Sequence, residues 1–371
     1  DRIELFNPAA ESDVFDYMIS EKYVKLDQEL FKISRNPEKR QHIDNIHQYN
    51  LSEGLALSDD EITYLESLSK KIGRKLTDSE VFGFSQVNSE HCRHKIFNGR
   101  FIIDDIERKE SLFDLIKKTT KLNKNSVISA YKDNVAFIEG PNIKQFAPVK
   151  AETQSEYKLS NFKSIISIKA ETHNFPTTVE PFSGAATGSG GEIRDRMAGG
   201  QGSIPLAGTA VYMTPYPRFD DSKFGFKKRE WLYQKPAEIL VKASNGASDF
   251  GNKFGQPLIA GSLFTFEHQE NGKSWGYDKV IMLAGGIGYG KKEYSFKSNL
   301  SKGDLIVVLG GDNYRIGMGG ASVSSTNTGE YSSGIELNAV QRSNPEMQKR
   351  VFNVIRSILE SGENFIKSIH D

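Results

Sequence analysis

The chain has 371 residues carrying 48 basic and 48 acidic side chains, enough length for two or three domains and a balance that removes any whole-molecule electrostatic case for nucleic acid or an anionic membrane as partner. Its longest unbroken apolar runs, such as residues 305–309, fall far short of the ~20 residues that a membrane-spanning helix needs. The single cysteine, Cys92, excludes an internal disulfide and a multi-cysteine zinc site, and with no signal-like opening stretch the expectation is a soluble, cytoplasmic protein.

Of the 33 glycines only Gly54 and Gly73 precede residue 83, so composition splits the chain. The opening segment, to about residue 53, is polar, with scattered helical apolar positions (Phe15, Met18, Ile19) and a basic stretch at 36–40; it reads as a mostly helical remnant or arm. Ser58 and Glu61 form a capping box, Ile62, Leu65, Leu68 and Ile72 an apolar stripe, and Gly73 a stop, which predicts a helix. Thr77 with Glu80 opens another that runs towards Val87 and delivers Glu90, His91, Cys92, Arg93, His94 and Lys95 at its boundary. Beyond Phe101 short β-rich runs follow, at 135–138, 165–168, 207–213, 280–284 and 305–309, with a helix capped by Ser111 and Asp114 before them and a hairpin turn at Asn271-Gly272. Asn344 as cap, Pro345, the stripe Val351, Phe352, Ile355, Ile358 and Leu359, and Gly362 as stop mark a last helix. Residues 365–369 read as a strand that carries Asp371, and so odd an ending suggests a fragment of a longer polypeptide. The predicted fold class is α+β: a helical lead-in and linker, a β-rich subdomain to about Gly290, and the opening of an α/β subdomain.

The densest chemistry begins at Lys169, Glu171 and His173, an ammonium, a carboxylate and an imidazole on one side of a strand end. It continues through Gly184, Ala185, Ala186, Thr187, Gly188, Ser189, Gly190, Gly191, Glu192, Ile193, Arg194, Asp195 and Arg196. Permissive backbones let successive N–H groups converge on an anion, while Arg194 and Arg196 add donors and Asp195 a carboxylate for Mg2+; a structural glycine-rich loop is the plainer alternative. Neither a P-loop nor a dinucleotide fingerprint is present. A second glycine cluster, from Gly310 to Gly320, suits a second phosphate contact or a tight inter-domain loop equally. His91 and His94 with Cys92 supply too few ligands for zinc; proton transfer by imidazole beside the charges of Arg93 and Lys95 fits better. Cys92 has no nucleophile-elbow context and reads as buried filler.

The tracts Ser89-Glu90-His91-Cys92-Arg93-His94-Lys95-Ile96-Phe97, Glu171-Thr172-His173-Asn174-Phe175-Pro176, Glu180-Pro181-Phe182 with 184–195, and Ile369-His370-Asp371 resemble the phosphoribosylformylglycinamidine synthase family, the formylglycinamide ribonucleotide amidotransferases of purine biosynthesis, in their large single-chain form. The resemblance implies an aminoimidazole-ribonucleotide-synthetase-like fold, divided as 1–54 (remnant of an N-terminal domain), 55–104 (helical linker), 105–293 (β-rich synthetase subdomain) and 294–371 (start of a second subdomain). It implies that Mg2+ and ATP activate the amide of formylglycinamide ribonucleotide as an iminophosphate, which ammonia from glutamine then displaces. It also implies His91 and His173 as catalytic, with Lys169 and the run 184–195 as ATP contacts. Thr172, His173, Asn174, Phe175, Arg194 and Gln341 become substrate contacts, and Glu171, Asp195 and Asp371 magnesium ligands. Phe175 departs from relatives that carry a second histidine there, and a phenyl ring can only pack. No glutaminase cysteine is present, so ammonia must come from another domain or subunit, and a second synthetase half must complete a site that this fragment alone leaves inactive. The alternatives are another ATP-dependent member of the aminoimidazole ribonucleotide synthetase superfamily, or a nucleotide-binding assembly module without turnover.

Overall fold

The structure, a computed structural model, describes residues 39–151, 153–217, 233–311 and 316–371; the expected helical positions Phe15, Met18 and Ile19, much of the basic 36–40 stretch and Asp312 of the second glycine cluster lie outside them. Helices α1 (Ile46–Glu53), α2 (Asp59–Ile72) and α3 (Asp78–Val87) form an N-terminal helical unit. Both predicted capping boxes close reciprocally, Ser58 with Glu61 and Thr77 with Glu80, and Gly73 ends α2 at φ 70°. Ile62 and Leu65 of the predicted stripe are buried with Ile46, Leu55, Leu57, Leu76 and Val81, each worth ~1.5–3 kcal/mol of transfer free energy. Arg93 takes a left-handed φ of 54° to turn the chain into the short α4 (His94–Phe97). A hairpin of β1 (Ile102–Ile103) and β2 (Ile106–Glu107) follows, then α5 (Leu112–Leu122), opened by the predicted Ser111–Asp114 box.

A six-stranded sheet forms the centre of the molecule. Its strands are β3 (Val127–Ser129), β4 (Ala136–Pro148), β5 (Tyr157–Thr172), β6 (Ile204–Thr214), β7 (Leu258–Thr265) and, after a separate hairpin of β8 (Glu267–Glu270) and β9 (Lys273–Gly276), β10 (Ile281–Lys291). The order is β3-β4-β5-β10-β6-β7, antiparallel except for β6 with β7. The predicted runs at 135–138, 165–168, 207–213 and 280–284 all fall wholly or mainly in this sheet, in longer strands than the apolar residues alone mark. Asn271 and Gly272, at φ 49° and 74°, make the predicted turn between β8 and β9.

Helices α6 (Asn174–Val179) and α7 (Pro181–Met197) connect β5 to β6, and α8 (Pro236–Phe254) makes the parallel crossover to β7. The short α9 (Gly320–Val323) and α10 (Ser333–Asn338) precede α11 (Pro345–Glu360), which begins at the predicted Asn344 cap and stops at Ser361, one residue before Gly362. Ala186, Ile193 and Met197 of α7, Phe250 and Phe254 of α8, and Phe352, Ile355 and Leu359 of α11 share one core. On another part of the sheet, Ala185, Ala243 and Ala247 pack with Ala210, Tyr212, Met282 and Ala284. Ile168 and Ile287 are cross-strand partners that remain exposed.

Three expectations are corrected. The run 184–195 is part of helix α7, so its N–H groups serve the helix ladder and cannot form an anion-binding loop. Its glycines serve close packing instead: a Cβ on Gly184 would lie 2.3 Å from the Pro176 carbonyl carbon, and one on Gly188 would lie 2.9 Å from His173 Cβ. Residues 305–309 form no regular element and pair with no strand among the described residues, and Leu305, Ile306 and Val308 are 89%, 94% and 90% exposed; apolar composition makes a strand only where a neighbour completes the ladder. Residues 365–369 are likewise not a strand, although Ile366 and Ile369 pack against the α7–α8–α11 core.

Candidate functional site

The end of β5 and the last turns of α7 place the predicted ionisable groups side by side. Lys169 Nζ lies 2.7 Å from Asp195 Oδ2 and 3.5 Å from Glu171 Oε2. Burial works against the Lys169 charge, but the Asp195 and Glu171 carboxylates outweigh it and hold the ammonium above its ordinary pKa. Asp371 shares a hydrogen bond with Asp195, accepts from Asn134 Nδ2 at 2.9 Å, and lies 3.6 Å from Arg194 Nε. Burial raises both aspartates, and the mutual repulsion of Asp195 and Asp371 raises Asp371 further. Arg194 Nη1 donates to Gln348 Oε1 at 3.1 Å, and Gln348 Nε2 donates to the Gly190 carbonyl at 3.0 Å, which ties the guanidinium to α7 and α11.

His173 follows β5 directly, and its N–H donates to the Met282 carbonyl at 2.8 Å. Burial drives the ring pKa down to about 4, with help from His91 and Arg194 and against a hydrogen bond that the ring gives to the Gly184 carbonyl; its Nδ1 is buried with no partner. His91 comes from the opposite wall, the turn after α3, and its Nδ1 lies 2.7 Å from Ser324 Oγ. Partial withdrawal from solvent, then the Lys279 ammonium, lower its pKa as well. Both imidazoles therefore hold a proton less readily than a free imidazole does. They line one cleft of about 390 Å³ together with Glu171, Thr172, Arg194, Asp195, Gln341 and Asp371, a volume within the ~300–1,000 Å³ of small-molecule sites.

The run 184–195 divides by helix face. Thr187, Gly191, Arg194 and Asp195 line the cleft, whereas Gly184, Ala185, Ala186, Gly188, Ser189, Gly190, Glu192 and Ile193 are buried outside its lining. Arg196, expected as an anion donor, is fully buried in an ion pair with Glu192. Asn174 Oδ1 accepts from the Met282 N–H at 3.1 Å, and Phe175 packs in a core with Val179, Val323 and Val340. The second glycine cluster contributes Gly317, Gly319 and Gly320 to the cleft wall. Cys92 is exposed, contrary to the expectation of buried filler, and desolvation of the thiol with Glu171 nearby raises its pKa despite Lys169. His94 is not part of the cleft lining and meets Phe113 edge-on at 5.4 Å. Ser324, Lys279, Gln348 and Asn134 went unmarked in the sequence, because they act through partners brought near only by the fold.

Asp195 and Asp371 offer hard oxygen donors in mutual contact, with Glu171 joined to Asp195 through Lys169. No three His, Cys, Asp or Glu side chains among the described residues form a ready cage. The expected trio Glu171, Asp195 and Asp371 therefore does not stand as a three-carboxylate cage; the Asp195–Asp371 pair offers the one or two carboxylates that Mg2+ takes beside substrate phosphates.

Residues 46–95 match the formylglycinamide ribonucleotide amidotransferase linker domain, and residues 301–371 match the C-terminal domain of AIR synthase related protein. Among solved structures, T. maritima PurL complexed with FGAR gives a TM-score of 0.47 at 23% identity, over 81% of this chain and 38% of that one. T. maritima PurL complexed with ATP gives 0.44 at 21%, over 81% and 36%. Phosphoribosylformylglycinamidine synthase of Schizosaccharomyces pombe is 40% identical over 99% of this chain, which spans 28% of that relative's length. With that identity sustained along almost all of its residues, the chain belongs to the phosphoribosylformylglycinamidine synthase family.

Proposed function

We propose that the chain supplies part of the synthetase site of a cytoplasmic ATP-dependent ligase, which converts formylglycinamide ribonucleotide to the corresponding amidine with ammonia released from glutamine elsewhere. The observation that carries this reading is the meeting of two imidazoles with Glu171, Asp195, Arg194 and Asp371 in one cleft, where Lys169 pairs with Glu171 and Asp195 at its edge. The γ-phosphoryl of ATP passes to the amide oxygen and ADP leaves. Ammonia then adds to the activated carbon, phosphate departs with the oxygen, and the nitrogen loses its surplus proton. Lys169 and Arg194 oppose the charge that develops on phosphoryl oxygens, and His91 and His173 are the groups able to take a proton. Mg2+, held by Asp195 and Asp371 with Glu171, would neutralise phosphate charge.

Thr172 and Gln341 contact the substrate directly in this reading, while Asn174 and Phe175 act by shaping the wall behind His173. The nucleotide meets Thr187, Gly191, Arg194 and Asp195 on the cleft face of α7. The second synthetase half covers the sheet face that carries the exposed Ile168 and Ile287, and the glutaminase part is a separate domain or subunit. The division at 1–54, 55–104, 105–293 and 294–371 belongs to the same proposal, with its first boundary moved ahead of α1, because Ile46 shares the core of α2 and α3. Among the described residues no helix is long and apolar enough to cross a membrane.

The test is phosphate release by the full-length protein with ATP, Mg2+, ammonia and the ribonucleotide. Release that does not depend on the ribonucleotide defeats the proposal. His91→Ala should lower kcat by roughly 10²-fold or more with an unchanged circular dichroism spectrum, and Asp195→Asn should raise the Mg2+ concentration needed for half-maximal rate.

A further inference from the structure

Ser324 sits at the C-terminal cap of α9 and closes two hydrogen bonds through one hydroxyl group. Its Oγ is 3.1 Å from the Ala321 carbonyl and 2.7 Å from His91 Nδ1. A carbonyl can only accept, and a serine hydroxyl has a single proton to give. With that proton given to the Ala321 carbonyl, the hydroxyl oxygen is left to accept from the imidazole. We infer that Ser324 is a positioning residue that holds His91 as the Nδ1–H tautomer, leaving the Nε2 lone pair as the ring's only free hydrogen-bonding function in the cleft.

A second clamp fixes the distance between the two walls. Gln86 Nε2 donates to Ser322 Oγ at 2.9 Å, Gln86 Oε1 accepts from the Ser322 N–H at 3.3 Å, and Ser322 is fully buried. The helical unit that carries His91 is thus bolted to the turn that carries Ser324, although 233 residues separate them. A neutral ring offering only a lone pair receives an N–H or O–H donor and is repelled by a phosphate oxygen. His91 therefore serves the nitrogen side of the chemistry, the amide N–H or the incoming ammonia, and leaves phosphate to Lys169 and Arg194. This rests on the reading of the cleft given above.

Magic-angle-spinning 15N spectra of full-length protein labelled with [15N]histidine, taken at pH 7.5 as wild type minus His91→Gln, report the tautomer without turnover. The expected difference signal is a protonated Nδ1 and a bare Nε2. Ser324→Ala should lose that pattern and lower kcat roughly tenfold with KM for ATP unchanged. Ser324→Asp, whose carboxylate still accepts from Nδ1–H, should retain the tautomer. Thermal midpoints of both variants separate loss of the bond from loss of fold. A protonated Nε2 in the wild type, or an intact Nδ1–H pattern in folded Ser324→Ala, overturns the inference even if the protein is active. An inactive protein with the expected tautomer would count against the proposed reaction alone.

Discussion

Replacing Arg196 by Met tests whether the glycine-rich helix is a structural element or an anion site. The guanidinium is fully buried, with Nε 2.8 Å from Glu192 Oε2 and Nη2 3.0 Å from Glu192 Oε1, and it also donates to the Ile287 carbonyl and to Gln256. Gln256 Nε2 adds a further bond to Glu192 at 2.8 Å. Burial pushes the Glu192 carboxyl up, and Arg196 is the main force pulling it down. Without that partner the carboxyl must stay charged in an apolar layer or take up a proton, and the Ile287 carbonyl loses its donor. Breaking a buried pair from one side costs ~3–5 kcal/mol, a large share of the ~5–15 kcal/mol that holds a domain together. The double variant Arg196→Met with Glu192→Gln removes the orphaned charge and should recover about half of the loss. Urea unfolding followed by circular dichroism measures both. A single-variant loss under about 1 kcal/mol, or a double variant no more stable than the single, would refute the assignment and return Arg196 to the list of anion donors.

Two further outcomes follow from the packing and the imidazoles. Gly184→Ala should destabilise by ~1–3 kcal/mol, because its Cβ would meet backbone at Pro176, whereas Gly83→Ala in α3, where nothing lies within 4 Å, should gain ~0.5–1 kcal/mol; equal melting shifts would show that the close approach of α7 to α6 is not real. On acidification, the unfolded chain protonates His173 near its ordinary pKa of 6.5 while the folded chain resists until about 4, so stability is fully present at pH 7 and falls as pH drops through that window. The full span is ~3 kcal/mol, and His173→Gln should flatten this part of the stability profile; an unchanged slope between pH 6.5 and 4 would remove His173 as its cause.

What the sequence discloses here depends on the range of the physics involved. Caps are local: Ser58 with Glu61, Thr77 with Glu80 and Ser111 with Asp114 each satisfy backbone donors within four residues, so spacing alone identifies them, and all three form. The trio Lys169, Glu171 and His173 was legible for the same reason, since a strand fixes which side chains share a face. The run 184–195 misled because glycine has two uses. Conformational freedom is the one a sequence advertises, but close approach is the one this helix employs, and it shows only when the facing backbone of Pro176 and the His173 side chain are in place. Helix α8 was absent from the predicted elements although Ile239, Phe250 and Phe254 lie on its buried side and Pro236 opens it; Gly246 and Gly251 inside it read as turn residues, whereas here they too serve close packing. Residues 305–309 show the reverse error, because strong β composition carries no information about whether a partner strand exists. Ser324 lies beyond any spacing rule, since its role is set by a histidine 233 positions away. Local rules therefore find the groups that can do chemistry, whereas the groups that orient them emerge only when distant segments are packed together.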